Sequence, residues 1–141
     1  MDRKSIAPCG VICDLCLGFQ RDKNRCVGCN AEGEKVNHCN VCTIKYCPEK
    51  EGISERLCIA CSKFPCKRIR DLEKRYATKY GESPIGNMQR VESVGMEQFL
   101  EEQEGLWRCN ACGNLVCVHR EVCLHCGAPR TYFIRSPITT L

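Results

Sequence analysis

A chain of 141 residues with 16 cysteines but only 4 Phe, 4 Tyr and 1 Trp has room for one ordinary domain or two small ones, and too little apolar bulk for a large core. It contains no run of about 18 apolar residues, so nothing in it reads as a membrane-spanning helix. The formal charge of +4 overstates its basic character: a zinc held by four thiolates carries about −2, and four such sites would bring the sum to about −4.

Residues 1–8 form a short lead-in with no apolar stretch of the kind a secretory leader needs, so a reducing, cytoplasmic setting is expected. In that setting densely spaced cysteines point to metal rather than to disulfides. Eleven cysteines follow between Cys9 and Cys66. They read Cys9-x3-Cys13-x2-Cys16, Cys26-x2-Cys29, Cys39-x2-Cys42-x4-Cys47 and Cys58-x2-Cys61-x4-Cys66, the last two forming a weak internal repeat. Gly10, Gly18, Gly28, Gly33, Pro48 and Gly52 punctuate this stretch, so knuckles and turns are expected rather than long elements.

Helical periodicity begins at Pro65. Ile69, Leu72, Tyr76 and Tyr80 fall on one stripe, with Gly81 as the stop, predicting a helix over 65–80. Ser83 and Pro84 read as the N-cap and first position of a second helix, with Ile85, Met88, Val91 and Val94 at spacing three and Gly95 as terminator. A third helix, about 96–104, carries Met96, Phe99 and Leu100 on one side. Cysteines resume as Cys109-x2-Cys112-x4-Cys117-x5-Cys123-x2-Cys126. The expected organisation is a cysteine-rich module over 1–80, a helical linker over 81–105, a zinc ribbon over 106–130 and a tail over 131–141.

The chemistry follows from the spacing. A tight turn brings the two thiolates of C-x2-C onto one face of a loop, and two such turns supply the four sulfurs of a tetrahedral zinc site. The strongest instance pairs Cys109 and Cys112, followed by Gly113, with Cys123 and Cys126, followed by Gly127. The ten residues between the pairs suit a β-hairpin, giving a zinc ribbon with Trp107 packed on it. Between the pairs, Cys117 reads as a small buried hydrophobe, and His119 and His125 as solvent-facing or hydrogen-bonded rather than ligating. Upstream, Cys13, Cys16, Cys26 and Cys29 would close one site, and Cys42, Cys47, Cys58 and Cys61 a second. Cys9, Cys39 and Cys66 with His38 are left for a third, although cross-braced pairings are equally allowed and a plain buried thiol is an equal alternative for each leftover.

Iron–sulfur is the chemical rival, because thiolates also hold [4Fe-4S] clusters. Cys9-x3-Cys13-x2-Cys16 has the spacing of a radical-SAM cluster, but no strand–helix units follow to build the barrel such enzymes need. His119-Arg120-Glu121 before Cys123 echoes zinc deaminases, yet a single residue separates Glu121 from Cys123 and no Pro precedes it. No Gly-rich phosphate loop occurs, and four-cysteine sites leave no open coordination position. A non-enzyme is therefore expected. The basic run Lys63, Lys67, Arg68, Arg70, Lys74, Arg75 and Lys79 could meet nucleic acid, or could be a solvated face balancing the metal–thiolate charge.

The stretch Ala7-Pro8-Cys9-Gly10 through Cys13 and Cys16, then Arg25-Cys26 to Gly28-Cys29, Cys42-x4-Cys47, and above all Cys58-x2-Cys61 leading into Phe64-Pro65-Cys66, resembles the prokaryotic family known as domain of unknown function 3795. The resemblance covers about residues 5–80, and Cys39 is additional to the pattern. It implies a small cytosolic protein of zinc-binding type. The resulting expectation is a small, metal-stabilised α+β protein: a knuckle module with a short helical layer, then a β-hairpin ribbon. It would hold several zinc ions and serve as a non-catalytic interaction or accessory module for another protein. The alternatives are an iron–sulfur electron carrier or cluster handler, and a nucleic-acid binder.

Overall fold

The computed structural model describes residues 1, 5–21, 26, 28, 44, 47 and 57–130. The three predicted helices are all present. The first, which with the short turn α1 (Leu17–Gln20) before it becomes α2, runs Lys67–Tyr80. It starts two residues later than the sequence suggests: Cys66 is the N-cap, in an extended conformation, and Pro65 stands outside the helix. Gly81 closes α2 in the left-handed region at φ 63 and ψ 38, which a glycine adopts without Cβ penalty. α3 (Pro84–Val94) begins as predicted, with the Ser83 hydroxyl accepting the Gly86 N–H at 3.0 Å. α4 (Met96–Leu106) runs two residues beyond its expected end.

Two C-x2-C turns ahead of the helices have nearly the same backbone. Cys13–Leu15 and Cys58–Ala60 are both 3-10 turns, each closed by the N–H of the following cysteine onto the carbonyl of the first at 2.9 Å. The cysteine after each turn is extended, with φ −76 and ψ 140 at Cys16 and φ −76 and ψ 138 at Cys61. The Cys58 N–H donates to the Pro8 carbonyl at 2.9 Å and ties the second turn to the residue before Cys9.

The core is shared by the described residues on both sides of the helices. Ile6, Ile12 and Leu15 from the N-terminal turns, Leu72 and Tyr76 from α2, Phe99 and Leu100 from α4, and Trp107, Val116 and Val118 from the C-terminal stretch form one buried cluster. Hydrogen bonds stitch the same seam. Val118 N–H donates to the Leu15 carbonyl at 2.8 Å, and Gln20 Nε2 donates to the carbonyls of Val116 (2.9 Å) and Asp14 (2.8 Å). Arg130 is also buried there. Its guanidinium lies 4.8 Å from the Trp107 ring centre and donates to the carbonyls of Val118 (2.7 Å) and Tyr80 (2.6 Å).

Among the described residues there is no β-sheet, only three isolated antiparallel bridges: Ile6 with Ile12, Arg108 with Leu115 and Val122 with Pro129. The β-hairpin expected between the C-terminal cysteine pairs thus has no ladder there. Residues 115–118 spend their backbone groups elsewhere: Val116 N–H goes to the Trp107 carbonyl, and Val118 N–H to Leu15. What stands in place of the α+β expectation is a helical protein with cysteine-rich turns at both ends of its described sequence.

Candidate metal centre

Each C-terminal cysteine pair sits in a small closed turn, and the two turns repeat one hydrogen-bond scheme. Cys109 N–H donates to the Asn114 carbonyl and Gly113 N–H to the Cys109 carbonyl, at 2.8 and 2.9 Å. Fourteen residues on, Cys123 N–H donates to Ala128 and Gly127 N–H to Cys123, again at 2.8 and 2.9 Å. Gly113 and Gly127 both take φ 77, the positive value that lets the chain turn back at the end of the knuckle.

This geometry brings four thiols together. The Sγ atoms of Cys109, Cys112, Cys123 and Cys126 all lie within 4.8 Å of one another, a group that could hold a metal ion. Cys109 and Cys126 are 3.6 Å apart and Cys112 and Cys123 3.7 Å. A tetrahedron with metal–sulfur bonds of about 2.3 Å has edges of about 3.8 Å, so the thiols already stand near the vertices that a single ion requires. Cys109 and Cys123 are buried, while Cys112 and Cys126 are exposed. One side of the centre therefore faces the core and the other faces solvent.

Backbone amides prepare the sulfurs for negative charge. The N–H groups of Cys112 and Ala111 aimed at Cys109 hold its thiol below the usual range. The Asn114 N–H and side-chain amide bring Cys112 down to about 6. Cys126 accepts the Ala128 N–H, which favours its thiolate; contact with Cys109, burial, and contacts with Cys112 and Cys123 outweigh that and push it up to about 12. Cys109, Cys112 and Cys126 thus titrate together, as crowded like groups must. A cation at their centre would remove the conflict.

The sequence reading placed these four residues in one site, and the structure brings them together. Cys117 is fully buried and stands outside the group, with desolvation raising its thiol. His125 is exposed. His119 is hydrogen-bonded at both nitrogens. Leu17 N–H donates to Nδ1 at 3.2 Å, which leaves the hydrogen on Nε2 to be donated to the Tyr76 hydroxyl oxygen at 3.1 Å. Burial first, then the nearby thiols of Cys9 and Cys16, pushes the Tyr76 hydroxyl far above its usual range. Trp107 is fully buried and donates from Nε1 to Gln103 Oε1 at 2.8 Å, so it packs and does not offer a face to a base.

Of the N-terminal candidates, Cys29, Cys39 and Cys42, with His38, lie outside the described residues. Cys26 is buried and its Sγ accepts the Gly28 N–H at 3.4 Å, the knuckle bond also made by Cys61 with the Lys63 N–H at 3.4 Å. A Cβ on Gly28 would stand 3.6 Å from Cys13 Cβ and 4.0 Å from Cys13 Sγ, so Gly28 lies directly on Cys13. Cys9 and Cys66 pack against the small cluster of Cys58, Ile69, Ile85 and Met88. Cys47 is half-buried, with its N–H on the Ile44 carbonyl at 3.3 Å. Among the described residues no second group of three or more metal-binding side chains converges as the C-terminal four do, nor is any helix long and apolar enough to cross a membrane.

Residues 5–71 match the protein family described as Protein of unknown function (DUF3795). No curated protein and no solved structure gives a significant match.

Proposed function

From the match of residues 5–71 to the DUF3795 family we propose that the protein is a zinc-binding, non-catalytic module that works by presenting rigid turns and helix faces to a partner protein in the cytoplasm. The observation that carries this reading is the convergence of the Cys109, Cys112, Cys123 and Cys126 sulfurs within 4.8 Å. Four thiolates at tetrahedral spacing suit Zn2+ and leave no coordination position for a substrate. A four-iron cluster takes one sulfur at each iron corner of a cube and would hold the thiolates further apart. The knuckle bonds at Cys26 and Cys61 and the contact of Gly28 with Cys13 support further sites upstream, with Cys13, Cys16, Cys26 and Cys29 as the first. Val122 and Leu124, on either side of Cys123, are 45% and 39% exposed, apolar side chains fixed on a metal-braced turn.

Elemental analysis of the anaerobically purified chain tests this. About three to four zinc ions per chain are expected, with one lost in Cys112→Ser/Cys126→Ser. Brown protein containing iron and absorbing near roughly 400 nm would replace the reading with the iron–sulfur one.

A second reading rests on the outer face of α2. Arg70, Lys74, Arg75 and Lys79 are exposed, and among the described residues none has a carboxylate within ion-pair distance; Asp71 is taken by Lys67 at 2.7 Å. Such a face fits a phosphate backbone. Charge reversal at Arg70, Lys74 and Arg75 would then weaken binding of a duplex oligonucleotide at least tenfold and lower the steepness of its salt dependence by about 3. Unchanged affinity and slope in a fluorescence-anisotropy titration would eliminate this reading.

A further inference from the structure

Two carboxyl groups are buried at the corner where α2 hands over to α3. Glu73 is 5% exposed and Glu82 2% exposed. Glu73 Oε1 accepts the Ser83 hydroxyl at 3.0 Å and the Ile85 N–H at 2.8 Å. Glu82 Oε1 accepts the Ser83 N–H at 2.8 Å. Oε2 of each acid is buried with no hydrogen-bond partner. A bare, buried carboxylate oxygen is costly, and two adjacent ones more so.

The surroundings supply no matching charge. α2 contributes Glu73 itself and α3 contributes only the neutral Ser83 and Asn87. From the N-terminal turn comes the Gly10 carbonyl, which accepts Asn87 Nδ2 at 2.9 Å. The C-terminal stretch brings Arg130, whose guanidinium is committed to the carbonyls of Val118 and Tyr80 and acts on Glu82 only through its field. One cation at a distance faces two acids in direct contact with α3's first turn.

We propose that this corner is a proton-binding site: Glu82 exchanges a proton near neutral pH, and losing it loosens the turn that presents Cys9 and Gly10. The link is short. Glu82 holds the Ser83 N–H, the Ser83 carbonyl accepts the Asn87 N–H at 2.9 Å, and Asn87 Nδ2 clasps the Gly10 carbonyl; Gly10 lies so close to α3 that a Cβ there would stand 2.2 Å from the Pro84 oxygen. Ionised, Glu82 must draw water into the corner, and the clasp on Gly10 opens with it. Burial is the largest influence and pushes the Glu82 carboxyl up from 4.5 to about 7; the Ser83 N–H, the Asn87 side-chain amide and the field of Arg130 oppose it, and Glu73 adds to it. An acid raised in the folded state stabilises fully below its ordinary value near 4.5 and loses that contribution as pH rises through about 7.

The test compares the full metal-loaded chain with Glu82→Gln, which keeps the size and removes the titration. Between pH 6 and 8.5 the melting temperature of wild type is expected to fall by several degrees relative to that of Glu82→Gln. Over the same range, amide exchange at Gly10 and Leu15 should accelerate several-fold more in wild type than in Glu82→Gln. Metal dependence is common to both proteins and cancels. Parallel melting and exchange profiles would overturn the proposal. Should Glu82→Gln not fold, wild type alone decides: the infrared C=O stretch of a buried protonated carboxyl must be present at pH 6 and vanish by pH 8.5, and its absence at pH 6 overturns the proposal equally.

Discussion

Stripping metal from the reduced protein with a strong chelator is expected to move the emission of Trp107 to the red and abolish its cooperative melting. Trp107 is the sole tryptophan and is fully buried in the shared core, so its emission reports on the packing of the C-terminal unit against the rest. In the proposed reading, sulfur coordination is what holds the two cysteine turns of that unit in shape. Its two turns carry one isolated bridge each, and two of its buried positions are the cysteines Cys109 and Cys123. Without an ion, four thiols within 4.8 Å must either protonate or move apart. A structural zinc contributes about 10–16 kcal/mol, as much as or more than the whole stability of a small domain, about 5–15 kcal/mol. An apo protein that kept its blue emission and a sharp transition would show that the apolar core is sufficient by itself.

Gly10→Ala is expected to be the most damaging small substitution in the described residues. The new methyl would lie 2.2 Å from the Pro84 oxygen and 2.8 Å from the Pro84 carbonyl carbon, both backbone atoms, at φ +93. Backbone strain costs about 1–3 kcal/mol there, and displacing α3 about as much again. The sum, on the order of 4 kcal/mol, is a large share of a marginal stability. Gly95→Ala is the control, because Gly95 has φ +88 but nothing within 4 Å of the added carbon. Denaturant melts should show Gly10→Ala losing at least twice what Gly95→Ala loses. Equal losses would mean that the contact with Pro84 yields easily and that φ alone matters.

The helices were legible because their ends are written in residue chemistry: Ser83 and Pro84 start α3, and Gly81 and Gly95 stop α2 and α3. Pro65 misled by two residues, since Cys66 supplies the cap and leaves the proline outside. The convergence of the four C-terminal cysteines was legible from spacing, which dictates a turn whatever surrounds it. The course of the chain between them was not, because Val118 bonds to Leu15, and a partner that far along the chain leaves no local pattern. Glu73 and Glu82 were missed for a related reason. Glu73 follows Ile69 by four residues and so continues the apolar stripe, but an acid there reads as solvent-facing unless the N-terminus of α3 is known to lie over it.

The Val118–Leu15 hydrogen bond reaches further than its single 2.8 Å contact. Leu15 lies within the stretch shared with the family, residues 5–71, whereas Val118 and Gln20's other acceptor, Val116, lie well past its end. The piece of chain held in common with relatives is thus smaller than the piece that folds. Cutting at the homology boundary would bare Ile12, Leu15 and the Leu15 carbonyl to water and take the Val116 acceptor from Gln20, beside the very turn that offers Cys13 and Cys16.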